Sequence, residues 1–196
     1  MTQNAGADAY NVAVGHTAGV SISTGIQNVV IGGLAGDALT TGSKNVAVGH
    51  NALSAEDADH YSTAVGAYAL EVQNAGADAY NTAVGYFAGN AISTGTKNVC
   101  IGSQAADALT TGYNNIVIGH NAAASAVDVN NELTIGDANI DAFRCADQSI
   151  AALSDGRDKS DVKDSGFGLD FIDSIRPVEF TWDFRPENMS ENKQGK

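Results

Sequence analysis

A five-residue motif recurs eight times at almost constant spacing, and that recurrence confines the chain to a stacked architecture. It reads Asn-Val-Ala-Val-Gly at Asn11, Asn-Val-Val-Ile-Gly at Asn28 and Asn-Val-Ala-Val-Gly again at Asn45. It continues from Ser62, Asn81, Asn98, Asn115 and Glu132, the starting positions differing by 17, 17, 17, 19, 17, 17 and 17 residues. A longer period lies over the short one. Residues 3–42 and 73–112 align without a gap at an offset of 70, with 29 identities in 40 positions. A duplicated block of four coils explains this. It requires each coil to meet nearly the same surroundings, as in a solenoid.

Each motif alternates in the strand manner and is rich in β-branched residues. The second and fourth positions, as in Val12/Val14, Val29/Ile31 and Ile116/Ile118, are aliphatic in most coils and are expected to face the coil interior. The third position, Ala13, Val30, Ala47, Ala64, Ala83, Cys100, Val117 and Thr134, reads as small throughout. This is expected where another backbone or a neighbouring chain comes close. Glycine fills the fifth position in all eight coils, from Gly15 to Gly136. It marks a bend with positive φ or a close backbone contact. A second glycine, at Gly25, Gly42, Gly76, Gly95 and Gly112, reads as the return corner. The segments between are expected to form a short second strand or an irregular edge, with Ile22, Leu39, Ile92 and Leu109 pointing inward.

Seventeen residues leave room for two short strands and two turns, and a single such coil buries little area. Hydrophobic residues make up 43% of the chain but aromatics only 7%, so the core is thin. Eight layers at about 4.8 Å each span roughly 40 Å. Three such rolls around an axis would supply the missing burial. The expected fold is therefore all-β: a parallel β-roll or β-solenoid of about eight 17-residue coils, trimeric, over residues 1–140. Residues 141–153 read as a linker or cap. A small α+β segment follows over 154–196.

Ten Lys and Arg stand against 23 Asp and Glu, for a net charge of −13. Up to Gln148 there are three cations, Lys44, Lys97 and Arg144, against thirteen anions. Such a surface repels phosphate, so no nucleic-acid partner is expected, and the charge serves to keep a long assembly soluble. No apolar run is long enough to span a membrane. The N-terminal decapeptide lacks the basic and apolar regions of a secretory signal, so release by lysis is expected. Cys100 and Cys145 are too few for a disulfide scaffold or a metal site.

The repeat with glycine corners resembles the left-handed parallel β-roll of trimeric autotransporter heads of the YadA type, which also occurs in phage tail fibres. The likeness covers roughly residues 9–140. It implies a homotrimeric fibre or spike shaft on a virion, made in the host cytoplasm and used in host attachment. Its partners would be itself, other tail proteins and a host-surface glycan or protein. The alternative is a bacterial surface adhesin head, which would need an export signal and a membrane-anchor barrel.

The C-terminal segment carries a second likeness. Ser154-Asp155-Gly156-Arg157-Asp158-Lys159 fits S-D-x-R-x-K, and Gly168-Leu169-Asp170-Phe171-Ile172 precedes Arg176-Pro177-Val178-Glu179-Phe180-Thr181-Trp182. Leu169 to Ile175 reads as a short amphipathic helix ended by Pro177, and Val178 to Trp182 as a strand. The two motifs resemble the start of the intramolecular chaperone of endosialidases and phage tail fibres, related to the autocleaving domain of myelin regulatory factor. That family trimerises, assists folding of the upstream β-structure and cuts itself off. Its chaperone continues well beyond this point, so residues 154–196 correspond to its N-terminal part.

The resemblance implies a Ser154–Lys159 dyad cutting between Ser154 and Asp155. A serine hydroxyl needs a base, and Lys159 must be neutral to serve, which burial promotes. Arg157 would assist by like-charge repulsion. Asp155 and Asp158 would oppose it, and Asp158 departs from the family pattern. Any enzymatic activity is thus at most single-turnover autoproteolysis.

Other candidates are weaker. His16, His50 and His120 follow strand-end glycines, but Gly33, Ala67, Tyr86 and Ser103 fill the same slot elsewhere, so no metal is expected. Tyr10, Tyr61 and Tyr80 read as coil-to-coil packing, with glycan binding the lesser alternative. Thr40/Thr41 and Thr110/Thr111 form no unbroken column of an ice-binding kind. Calcium repeats, phosphate loops and zinc spacings are missing from the sequence, so no cofactor is expected.

Overall fold

A computed structural model describes residues 9–142 and Arg144. Eight strands of three residues each, β1 (Val12–Val14), β2 (Val29–Ile31), β3 (Val46–Val48), β4 (Thr63–Val65), β5 (Thr82–Val84), β6 (Val99–Ile101), β7 (Ile116–Ile118) and β8 (Leu133–Ile135), fall on the eight motifs. They form one sheet in the order β1 to β8, every neighbour parallel. Each residue pairs with its counterpart in the next motif, Val12 with Val29 and Val29 with Val46. The longer fourth coil keeps this register, Thr63 facing Thr82. The fold is a parallel β-solenoid, with coils numbered here from Asn11, Asn28, Asn45, Ser62, Asn81, Asn98, Asn115 and Glu132.

Layer-to-layer hydrogen bonds continue beyond the strands. The Leu34 N–H donates to His16 O (2.9 Å) and the Thr40 N–H to Asp57 O (2.8 Å). Among the described residues the return side forms no second strand, only an isolated pairing of His60 with Asp78. It is the irregular edge.

The strand faces reverse the sequence expectation. Val30, Ala47, Ala64, Ala83, Cys100 and Val117, the third positions, are the buried ones. The second and fourth positions point away from the coil interior: Ile101 is 40% exposed and Leu133 62%. Alternation of period two cannot say which face is inside. Space decides it. The interior must also hold Ile22, Leu39, Ile92 and Leu109 from the return side, all fully buried as expected. Little more than a methyl group per strand fits opposite them. The core is accordingly built from Ala, Leu and Ile with a few Val.

Seven of the eight strand-end glycines, Gly15 to Gly119, meet both conditions expected of them, and Gly136 only that of positive φ. Gly49 has φ +138°, and a Cβ there would lie 2.5 Å from Gly66 C and O in the next layer. At the return corners of Gly25, Gly42, Gly95 and Gly112 it is the close approach of the next layer's carbonyl that excludes a side chain. Gly76 differs from that group. It stands in the turn lengthened by the 19-residue coil, with nothing within 4 Å of where its Cβ would be.

The expected helix at Leu169–Ile175, the strand at Val178–Trp182 and the linker's end lie outside the described residues.

Candidate functional site

The outward side of the sheet is the most extensive chemical feature of the solenoid. Eight strands contribute two outward positions each, and of these sixteen all but Thr63 and Thr82 are Val, Ile or Leu. Parallel, in-register pairing aligns them into two columns running the length of the stack, the fourth-position column aliphatic throughout and the second-position column broken only by the paired Thr63 and Thr82. Nothing in the described chain covers them. Soluble monomers seldom leave an apolar strip of such length open to water, and a strip of this kind marks an interaction surface. Fully burying one such side chain is worth about 1.5–3 kcal/mol.

Buried asparagines hold this face straight. The motif's first residue sends its amide nitrogen to the return corner of its own coil: Asn28 Nδ2 to Gly42 O, Asn45 Nδ2 to Asp59 O and Asn98 Nδ2 to Gly112 O, all at 2.8 Å. Its Oδ1 accepts the backbone N–H of the same position one coil on: Asn45 N to Asn28 Oδ1 at 2.9 Å, Asn115 N to Asn98 Oδ1 at 3.0 Å. Each asparagine thus clamps strand, corner and next layer together, with its polar atoms satisfied although it is buried. The signal was the recurrence of Asn before a β-branched run, where a buried position ordinarily takes an apolar residue.

The ladder changes at two places. Ser62 replaces Asn in the fourth coil. Glu132 ends the ladder by folding back on Ser125, which donates through its hydroxyl and, at 2.9 Å, its N–H. Those bonds, the hydroxyl first, hold the Glu132 carboxyl below its ordinary range.

Two aromatic groups flank the sheet. Beyond the strand ends, Tyr68 packs against Phe87 with centroids 4.8 Å apart, and against His50 and Tyr86 edge-on. Before the strands, Tyr61 and Tyr80 stack in parallel at 5.0 Å. The Lys44 ammonium lies 5.1 Å from the Tyr61 centroid. The coil-to-coil packing expected of Tyr61 and Tyr80 is therefore present, and Tyr61 already has a ring and a cation against it. Tyr10 is 70% exposed.

His16, His50 and His120 stand in one column, in coils 1, 3 and 7. Layers are about 4.8 Å apart, so within one chain they are not brought together. Among the described residues no three His, Cys, Asp or Glu side chains form a metal-binding group. Cys100 is buried and free; burial pushes its thiol up to about 12, so it stays protonated and unreactive. Ser154, Lys159, Asp155, Arg157, Asp158 and Cys145 lie outside the described residues. No family model, curated protein or solved structure matches the chain.

Proposed function

We propose that the chain is a segment of a homotrimeric fibre or spike shaft on a virion, serving host attachment and synthesised in the host cytoplasm. Three copies set their outward strand faces against one another around a common axis. The single observation that supports this most is the aliphatic columns on all eight strands, which the chain itself leaves uncovered. Closed rotational symmetry buries identical faces without leaving an open end. The parallel sheet supplies the rigidity a shaft needs, and the anionic exterior keeps the assembly soluble. Other tail proteins at its ends and a host-surface glycan or protein complete the proposed partners. In the same reading, residues 154–196 begin a chaperone that promotes trimer folding and cleaves itself between Ser154 and Asp155 through Ser154 and Lys159.

Lysine substitution of the outward residues Val48, Ile101 and Ile118 tests the interface. The variant should retain β-sheet circular dichroism while its mass by light scattering drops below that of the native protein. An unchanged mass would exclude this face as the interface. With a complete chaperone appended after Lys196, intact mass should show a product ending at Ser154, and Ser154→Ala or Lys159→Ala should abolish it. Persistence of that product in Ser154→Ala would rule out the dyad.

A further inference from the structure

One apolar column of the core is interrupted by acid chemistry. Eleven residues after the start of each of the first six coils the sequence reads Ile22, Leu39, Glu56, Gln73, Ile92 and Leu109. All six are fully buried. Beside Glu56 lies Asp59, also with no exposed surface. Two carboxyl groups thus sit inside a thin hydrophobic core.

Their hydrogen bonds are unequal. The Asp59 carboxyl accepts three donors, the Ala75 N–H at 2.6 Å and the Ala77 N–H at 3.0 Å, one on each oxygen, and the Gln73 amide at 3.4 Å, against two for Glu56. That is the donor set of an ionised carboxylate. Glu56 accepts the Asp59 N–H at 2.5 Å and one amide hydrogen of Gln73 at 3.0 Å. The Gln73 amide is also directed at Ser62 Oγ (2.8 Å), while its Oε1 accepts from Asn81 Nδ2 (2.8 Å).

The groups set against the pair and its partner Gln73 are neutral: Asn45 donates to Asp59 O, Ser62 and Asn81 bond Gln73, and Gly42 and Leu39 line the corner beside Asp59 O. The nearest other titratable side chains turn outward. Asp57 accepts from the Thr40 hydroxyl, and Asp78 accepts from the Tyr80 hydroxyl at 3.0 Å. His60 accepts the Ser43 N–H through Nδ1 at 2.8 Å. No cation contributes to the Glu56 environment.

We infer that Glu56 and Asp59 hold one proton between them inside the solenoid, carried on Glu56, and that its loss makes coils 3 and 4 a joint that loosens as pH rises. Two buried like charges with only neutral donors around them are costly, and the carboxyl with fewer donors keeps the proton. Burial first, then the bond to Asp59, pushes Glu56 up to about 8 from an ordinary 4.5. The stability this proton confers is complete below pH 4.5, is lost as pH rises towards 8, and is absent above that. The inference holds for the chain in any oligomeric state, independently of the virion reading.

Backbone amide exchange of the full chain between pH 5 and 9, corrected for intrinsic rates, tests it. The opening equilibrium of residues 53–81 should rise about tenfold per pH unit up to pH 8 and then level off. Glu56→Gln cannot lose a proton, and its opening equilibrium should not follow pH over that range. A second variant, Glu56→Leu with Gln73→Leu, restores the apolar column and should also be insensitive, which keeps the test open if Glu56→Gln does not fold. Native protein without the rise, or the same rise in native protein and variants, would overturn the proposal.

Discussion

Coils 1 and 2 and their duplicates, coils 5 and 6, solve the interior in one way, and coils 3 and 4 in another. In the first set the return side contributes a branched aliphatic, Ile22, Leu39, Ile92 or Leu109. Three residues before it stands a small residue, Gly19, Gly36, Gly89 or Ala106. In the second set the aliphatic becomes Glu56 or Gln73, and the earlier residue becomes Leu53 or Leu70, both fully buried. Leu53 and Leu70 keep the positive φ of the glycines they replace, 55° and 49° against 57° at Gly89. Apolar volume has moved across the coil, and the vacated place holds a hydrogen-bonded polar group. The comparison teaches that the fold fixes total core volume per coil and the pairing of polar atoms, not the residue type at either position.

The two regions agree at their strand-end glycines, where substitution has its largest effect. Gly49→Val puts a β-branched residue at φ +138° and against Gly66. It should cost more than about 3 kcal/mol and lower the melting temperature sharply; an unchanged melting temperature would show that the corner does not need glycine. Next comes the asparagine ladder. Asn98→Ala strands the Gly112 carbonyl and the Asn115 N–H, a loss of about 3 kcal/mol. Ser62→Ala removes one bond from a Gln73 amide that also bonds Glu56, about 1 kcal/mol. Equal losses in denaturant melts would contradict the role assigned to asparagine.

The volume exchange gives the smallest and sharpest test. A Cβ at Gly89 would meet Ile92 Cδ1 at 3.0 Å and Leu70 Cδ2 at 3.1 Å, so Gly89→Leu overpacks the core by about 2 kcal/mol. Combined with Ile92→Ala it reproduces the apolar layout of coils 3 and 4. The pair should be about 1 kcal/mol more stable than the sum of the two single changes. Strict additivity would mean that the two positions do not share one volume.

Periodicity carried the architecture in full: coil number, strand positions, parallel stacking and register all follow from the motif spacing. The facing of the strands did not follow, because Val12 or Ile31 in an alternating run suits either a chain's own core or a neighbour's. Only the size of the interior, set by residues on the other side of the coil, distinguishes them. Several corners were hidden for a different reason. Gln27, Lys44, Tyr61 and Tyr80 adopt positive φ between 53° and 64° without the glycine or asparagine that ordinarily announces it. Layer-to-layer hydrogen bonds impose the turn on them. Glu56 and Gln73 were readable as a break in the Ile/Leu column, yet the Ala75 and Ala77 N–H groups that Asp59 accepts come from the lengthened turn. The S-D-x-R-x-K motif rests on its sequence pattern, since its residues lie outside those described.

The proposed trimer requires the outward aliphatic face to be an interior face of an assembly. Sedimentation equilibrium of the unmodified chain at micromolar concentration measures this directly. The expected particle has three times the 20.0 kDa chain mass and does not dissociate on dilution. A stable, folded species of a single chain's mass would contradict it.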